Sequence, residues 1–153
     1  MENNHIKIVT ENRKARHNYH IEEQIEAGMV LLGTEVKSLR SGHANLKDAY
    51  GRIKNGEMYI YQMHISPYPF AYYDNHDPLR SRKLLLNKSE LKRMIAKIKA
   101  KGFSVIPLRV YFKNGKAKIT ISLARGKRKY DKRESIKNRE MKREIDRAKK
   151  RDY

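Results

Sequence analysis

Apolar and polar positions alternate from Tyr19 onward. Tyr19, Ile21, Glu23 and Ile25 fall on one side, and His20, Glu22, Gln24 and Glu26 on the other. A mostly apolar face with period two predicts a strand. It is expected to run through Gly28 into Met29-Val30-Leu31-Leu32, with the glycine marking a bulge or bend. Upstream, Ile6 to Val9 reads as a short edge strand, and the polar, basic stretch Glu11 to Asn18 as a connector or single helical turn.

Gly33 to Gly42 predicts a two-turn helix, too short to stand alone in water. Thr34 is placed to cap it, Glu35 faces the positive end of its dipole and Arg40 the negative end. Val36 and Leu39 share one face that can be buried, plugging a barrel, while Lys37 and Arg40 share another that stays wet. Gly42 supplies a left-handed stop. Two hairpins follow: Tyr50–Lys54 and Glu57–Ile65 about Asn55-Gly56, then Tyr111–Lys113 and Lys116–Leu123 about Asn114-Gly115. Asn-Gly favours the type I′ turn that such hairpins use. Lys116 and Lys118 alternate with Ala117 and Ile119, so one face of the second hairpin is wet. Between the hairpins, Asn87 begins a helix carrying Leu91, Met94, Ile95 and Ile98 at i, i+3, i+4, i+7 and ending at Gly102.

The stretch from Ser66 to Arg82 has no period. It carries Pro67, Pro69 and Pro78 with Tyr68, Phe70, Tyr72 and Tyr73. Long irregular connections are uncommon in a compact domain and are often functional. Aromatics in such loops more often pack back on the sheet than stack on bases, so packing is the expectation. Twisted antiparallel strands with interposed helices predict a mainly β fold. The best match is a small, partly open antiparallel barrel of the oligonucleotide-binding (OB-like) type with about three helices, over residues 1–124. A split sheet with helices on one face is the alternative.

Composition then narrows the function. The 153 residues carry 36 Lys and Arg against 17 Asp and Glu, a formal charge of +19. An excess that large repels itself and anticipates a polyanion. Nucleic acid is favoured over an acidic membrane surface, because no lipidation signal or strongly apolar amphipathic face supports the membrane. No apolar run approaches the ~18 residues of a spanning helix, and Met1–His5 lacks a signal-peptide core. Cysteine is absent, which excludes disulfides and thiolate metal sites and suits a reducing cytoplasm. From Arg125 the composition breaks: residues 125–153 hold 14 Lys or Arg against 6 Asp or Glu, a net of +8. Met141, Ile145 and Ala148 lie on one thin helical stripe, too little apolar surface to offset ordering of the segment. A tail disordered alone and helical in an anionic groove is expected.

Three blocks carry a resemblance. The first is Asn12-Arg13-Lys14-Ala15-Arg16-His17-Asn18-Tyr19 with Ile21-Glu22-Glu23 and Glu26-Ala27-Gly28. The second is Gly33-Thr34-Glu35-Val36-Lys37-Ser38-Leu39-Arg40 with its continuation from Gly42 to Tyr50. The third is His76-Asp77-Pro78, Arg80 and Arg82-Lys83-Leu84-Leu85-Leu86-Asn87, answered by Ala124-Arg125-Gly126-Lys127 and Asp131-Lys132-Arg133. The chain thereby resembles, from about residue 9 onward, the small protein B family, the bacterial partners of transfer-messenger RNA (tmRNA) in ribosome rescue. The resemblance implies an RNA-binding adaptor that clamps the tRNA-like domain of tmRNA and with it mimics a tRNA. It also implies a tail that enters the empty mRNA channel of the small subunit at the decoding centre and is helical there. Neither cofactor nor metal is implied, and the chain is expected to act as a monomer in the cytoplasm, by trans-translation.

By the same resemblance, Glu26, Leu85 and Asn87 fall on the RNA face, and Asn12, Arg16, His17, Tyr19, Arg40 and Tyr50 match further motif positions and are implied as RNA-binding too. Gly126, Lys127, Arg128, Tyr130, Asp131, Lys132 and Arg133 are implied as the ribosome-contacting part of the tail. Leu85 could also be core, and Asn87 a helix cap. Glu26 repels phosphate, so a direct role means accepting from a base amino group or a 2′-hydroxyl, or orienting an arginine. Tyr130 stands where many relatives have a His placed to stack near the decoding bases; Tyr stacks as well but carries no positive charge. Two other readings stay open: a generic basic ribosome-associated protein or RNA chaperone, and a nuclease using His5, His17, His20, His64 or His76. No HxxxH, paired-acid or Gly-rich phosphate loop stands at a spacing that nuclease chemistry requires, so no catalytic residue is assigned.

Overall fold

A computed structural model describes residues 5–127 and 129–151, with residues 129–131, 135 and 151 described by backbone alone. The chain enters at edge strand β1 (Ile6–Glu11), makes one helical turn, α1 (Ala15–Asn18), and continues directly into β2 (Tyr19–Met29). Helix α2 (Gly33–Arg40) follows, then the short β3 (Ala44–Asn45) and the first hairpin, β4 (Tyr50–Lys54) and β5 (Glu57–Tyr61). Asn55 and Gly56 have φ of 52° and 73°, the paired positive values of a type I′ turn. Gln62, at φ 58°, breaks the outgoing strand, so β6 (His64–Ile65) is separate and pairs with β3 as a two-stranded ribbon.

After an irregular excursion come β7 (Arg82–Leu85), α3 (Lys88–Lys101), and the long hairpin of β8 (Ser104–Lys113) and β9 (Lys116–Gly126) about Asn114-Gly115, at φ 51° and 78°. The strand order is β1-β8-β4-β5-β7-β2-β9, and β9 pairs again with β8. Six strands therefore close into an antiparallel ring with β1 added outside β8. This is the expected barrel, and the split sheet is not formed. The weakest seam joins β4 to β8 through Gly51 opposite Val105 alone. A Cβ on Gly51 would lie 2.4 Å from Val105 Cγ1, so glycine is what lets the two strands meet there.

Inside the ring, Leu39, Leu46, Met58, Ile60, Met63, Ile65, Leu84, Met94, Ile119, Ile121 and Leu123 are fully buried. Each contributes about 1.5–3 kcal/mol of transfer free energy. α2 plugs one end with Leu39 and the half-buried Val36, as its spacing predicted, and α3 covers another opening with Met94. Gly42 and Gly102 adopt the left-handed stop at φ 78° and 66°.

Local details differ from the sequence reading. Gly28 marks no bulge: it pairs regularly with Leu85 and Lys118, and the register shift in β2 lies between Ile21 and Glu23. The strand ends at Met29. The second hairpin is longer than expected, beginning at Ser104 and ending at Gly126. From Ile119 to Ala124 both of its faces are buried, because a second small cluster of Ala15, Ile106, Leu108 and Ala124 lies under α1 on the outer side. Pro107 is accommodated where the β8–β9 register shifts. Thr34 does not cap α2. The Glu35 carboxylate takes the Leu32 N–H at 2.8 Å instead, and the Thr34 hydroxyl bonds His76. Asn87 occupies the N-cap position of α3, but its side chain accepts no backbone N–H; its amide donates to Glu90 at 3.3 Å. The aromatics of the 66–82 excursion do not pack on the sheet either: Phe70, Tyr72 and Tyr73 are 77, 91 and 88% exposed.

The last element, α4 (Lys129–Arg151), is a single 23-residue helix. Its described side chains are exposed except Lys132, which is half-buried. Arg139 on α4 lies 3.2 Å from His17 Nδ1 on α1. Among the described residues, no helix is long and apolar enough to cross a membrane, and no cluster of His, Asp and Glu could hold a metal ion.

Candidate nucleic-acid interface

Residues assigned to RNA contact, Arg40 apart, fall into two regions joined by β2. Glu26, Leu85 and Asn87, remote in sequence, line one open recess of about 440 Å³ together with Gly28, Arg93 and Lys118. The recess exists because β7 pairs with the end of β2, setting Leu85 opposite Gly28 and Leu84 opposite Met29. Alternation then buries Leu84 and turns Leu85 outward at 53% exposure. The core reading of Leu85 therefore applies to its neighbour. A Cβ at Gly28 would meet Leu85 Cβ at 3.3 Å, so the glycine allows the close approach that seats Leu85 at the rim.

Glu26 is held in place rather than free. The buried Tyr111 donates its hydroxyl to the Glu26 carboxylate, and Lys113 Nζ lies 3.5 Å away. The Tyr111 hydrogen bond, opposed by some burial and helped by Lys113 and Lys118, holds the Glu26 carboxyl below the usual carboxylate range. Burial, then the bond to Glu26, pushes the Tyr111 phenol up. The proton thus stays on the phenol, and one carboxylate edge faces a rim that carries Arg93, Lys118 and a second carboxylate, Glu90. An oxyanion fixed among Lys113, Lys118 and Arg93 can accept from a base amino group or a 2′-hydroxyl while the cations meet phosphate. Beside it, Glu23 pairs with Lys97 and Arg93, both at 2.7 Å, so α3 is clamped to β2. The Lys97 hydrogen bond is the main reason the Glu23 carboxyl sits low, against partial burial.

At the other end of β2, seven residues or roughly 23 Å from Glu26, lies a groove of about 1140 Å³ along the thin β4–β8 seam. Asn12, Tyr19 and Tyr50 line it, with Arg13, Lys14, Lys47 and Arg52 as its cations. Asn12 supports the groove: its N–H donates to Leu108 O at 2.7 Å and its amide to Pro107 O at 3.1 Å, fixing α1 against β8. Tyr50 stacks on Tyr61 with ring centres 5.6 Å apart. Arg16 is exposed on α1, and His17 faces α4 through Arg139. Gly126 is the last residue of β9, opposite Tyr19, and the half-buried Lys127 donates its N–H to Asn18 O at 2.8 Å. The tail therefore leaves the barrel beside this groove. Tyr130, Asp131, Lys132 and Arg133 form the first turns of α4; Arg128 lies outside the described residues.

Arg40 belongs to neither region. Its guanidinium lies 5.7 Å from the Phe112 ring centre, and Phe112 points to the opposite face of β8 from Tyr111. Sequence reasoning missed Lys118 and Arg93 in the recess, and Tyr111 and Lys113, which hold Glu26 beside it. The only signal was the wet lysine face of the second hairpin, which gives a surface but not the residue it surrounds. It missed the buried core of α2 as well. Glu35 and Arg82 are both fully buried and form an ion pair, and Arg80 adds a second contact to Glu35 at 2.5 Å. Burial alone would push the Glu35 carboxyl up, but bonds from Arg80, the Leu32 N–H and Arg82 outweigh it and hold it low.

An OB-type barrel, a carboxylate held in a recess beside Lys118 and Arg93 and a basic helix leaving from the far end fit an RNA-binding adaptor. The sequence model of the SmpB protein family matches residues 9–151. The SsrA-binding protein of Pelotomaculum thermopropionicum is 57% identical over 143 residues, covering 94% of each chain. That of Acetivibrio thermocellus is 56% identical over 147 residues, covering 96% of each. A solved structure presented as "tmRNA-SmpB: a journey to the center of the bacterial ribosome" contains a chain 47% identical to this one. It superposes with a TM-score of 0.66, covering 83% of this chain and 93% of that one. The chain belongs to the SmpB family.

Proposed function

We propose that this chain is the RNA-binding adaptor of trans-translation: it binds the tRNA-like domain of tmRNA, mimics a tRNA with it, and delivers it to stalled ribosomes in the cytoplasm. One observation carries the reading. Glu26, Leu85 and Asn87, brought from two distant segments, line a single recess beside Lys118 and Arg93, while α4 leaves from the opposite end of β2. Such a division lets the barrel hold one RNA while the tail probes another surface. The recess takes the tRNA-like domain, with Glu26 accepting from a base amino group or 2′-hydroxyl and the lysines meeting phosphates. The α1 groove, with Asn12, Tyr19 and Tyr50, adds a second contact to the RNA, and residues 126–133 face the small subunit, where α4 lies in the empty mRNA channel at the decoding centre. The chain acts by binding and carries out no chemical step.

Binding of a transcribed tRNA-like domain of tmRNA, measured across a salt series, tests this. Log affinity should fall linearly with log salt, and bulk tRNA should compete poorly. Equal competition by bulk tRNA or duplex RNA would instead support a generic RNA chaperone.

A further inference from the structure

Between Ile65 and Arg82 the chain leaves the barrel inside a firm frame. His76, only 5% exposed, closes its base with Nδ1 at 2.9 Å from the Thr34 hydroxyl and Nε2 at 2.9 Å from Ile65 O. A carbonyl only accepts, so Nε2 donates to Ile65 O. Asn75 spans the loop, accepting from Tyr68 N–H at 3.1 Å and donating to Tyr68 O at 2.9 Å. Ile65 N–H donates to Pro78 O at 3.0 Å, and Arg82 donates to Met63 O at 2.6 Å. Asp77 is occupied as well, accepting from Leu79 N–H at 2.9 Å.

What this frame supports is aromatic and wet. Phe70 sits edge-on to Tyr68 at 5.5 Å, and the Lys37 ammonium lies 5.3 Å from the Tyr68 ring centre. Beyond them Tyr72 and Tyr73 are almost wholly exposed. Side chains of this kind are the largest apolar contributors when buried, and clustered exposure marks an interaction surface. The surroundings are cationic: Lys37 and Arg40 are exposed on α2, and Arg80 is partly exposed at the loop base. Aromatic faces beside cations fit unpaired nucleobases joined by phosphates; paired bases have no free face to offer. Only Lys83 and Leu84 of β7, about 10 Å of strand from end to end, separate the anchored end of this loop at Arg82 from Leu85 in the recess.

We propose that Phe70, Tyr72 and Tyr73 form a stacking platform for unpaired bases of the same RNA that occupies the Glu26–Leu85–Asn87 recess. This rests on the RNA-binding reading above. The chain contains no tryptophan, so Tyr72→Trp in the full-length protein places a single indole on the platform. A transcript of the tRNA-like domain should quench that indole at the concentration where filter retention shows binding. A perfect RNA duplex of equal length should bind through its phosphates and leave it unchanged. Replacing Phe70, Tyr72 and Tyr73 together by Ala should weaken transcript binding about tenfold or more. The salt slope should not change, since stacking neutralises no phosphate. Transcript bound with wild-type affinity by the triple variant, or an unquenched Trp at position 72 in the bound complex, would overturn the platform and leave the RNA reading standing. Quenching seen only with isolated ribosomal proteins would make the loop a protein-docking surface and equally overturn it. Failure of the wild-type chain to bind the transcript would overturn both.

Discussion

Arg82 donates to the carboxylate of Glu35 from 47 residues away, both side chains fully buried, and that pair joins helix α2 to the strand leading into the Glu26–Leu85–Asn87 recess. Arg82 also bonds Met63 O, and Arg80 reaches both Glu35 and Val30 O. One carboxylate thus ties together α2, the end of β2 and the outgoing arm of the aromatic loop.

Arg82→Met should therefore destabilise the protein by up to about 3–5 kcal/mol, because it takes from Glu35 its one fully buried partner and leaves the partly exposed Arg80 to hold the charge. Urea unfolding gives the loss directly. Hydrogen exchange should show loss of protection first at Ile65, whose N–H bonds Pro78 O. Unchanged protection there would mean that the pair does not anchor the loop.

Acid should act through the same residue. The folded state holds the Glu35, Glu26 and Glu23 carboxyls below their ordinary value, so it binds fewer protons than the unfolded chain. Their stabilisation is fully present above the unfolded carboxylate value, about 4.3, and is lost as pH falls through the folded values. Urea midpoints should drop between about pH 5 and 3, and Glu35→Gln should flatten that drop. An unchanged acid slope in the variant would remove Glu35 from the account.

Gly51→Ala tests the barrel seam. Its Cβ would meet Val105 Cγ1 at 2.4 Å and Val105 Cβ at 2.8 Å, an overpacking that costs about 1–3 kcal/mol. Adding Val105→Ala should restore part of the loss in a double-mutant cycle. Purely additive losses would show that the two side chains do not collide.

Tyr111→Phe separates position from presence in the recess. Glu26 would keep its charge and lose the donor that orients it. RNA affinity should fall by about 1.5–3 kcal/mol, the worth of a hydrogen bond to a charged group, and both this variant and Glu26→Ala should alter the footprint on the bound RNA. Lys132→Ala should leave that footprint intact and change only ribosome engagement.

The barrel was legible in the sequence because its signals are local: period-two alternation in β2, two Asn-Gly turns, and Leu91-Met94-Ile95-Ile98 on α3. β8 was half missed because Val105, Ile106, Pro107 and Leu108 are buried on both faces, which erases the alternation that reveals a strand. Glu35 was read as a dipole partner because nothing local discloses that Arg82 will be buried beside it. The exposed loop was misread for the opposite reason: aromatics ordinarily predict burial, and only the hydrogen-bonded frame of Asn75 and His76 shows them held outward. Tyr111 escaped because its role depends on β2 and β8 flanking β9, a relation of three strands.

The central claim is the separation of RNA binding by the barrel from ribosome engagement by α4. The decisive measurement pairs two readouts on one variant, the chain truncated after Lys127, which keeps Gly126 opposite Tyr19 and the Lys127 N–H on Asn18 O. Affinity for the tRNA-like domain of tmRNA should stay within about twofold of wild type, a free-energy change under ~0.5 kcal/mol, while tagging of peptides on stalled ribosomes is abolished. Loss of RNA affinity on truncation, or tagging that survives it, would contradict the account.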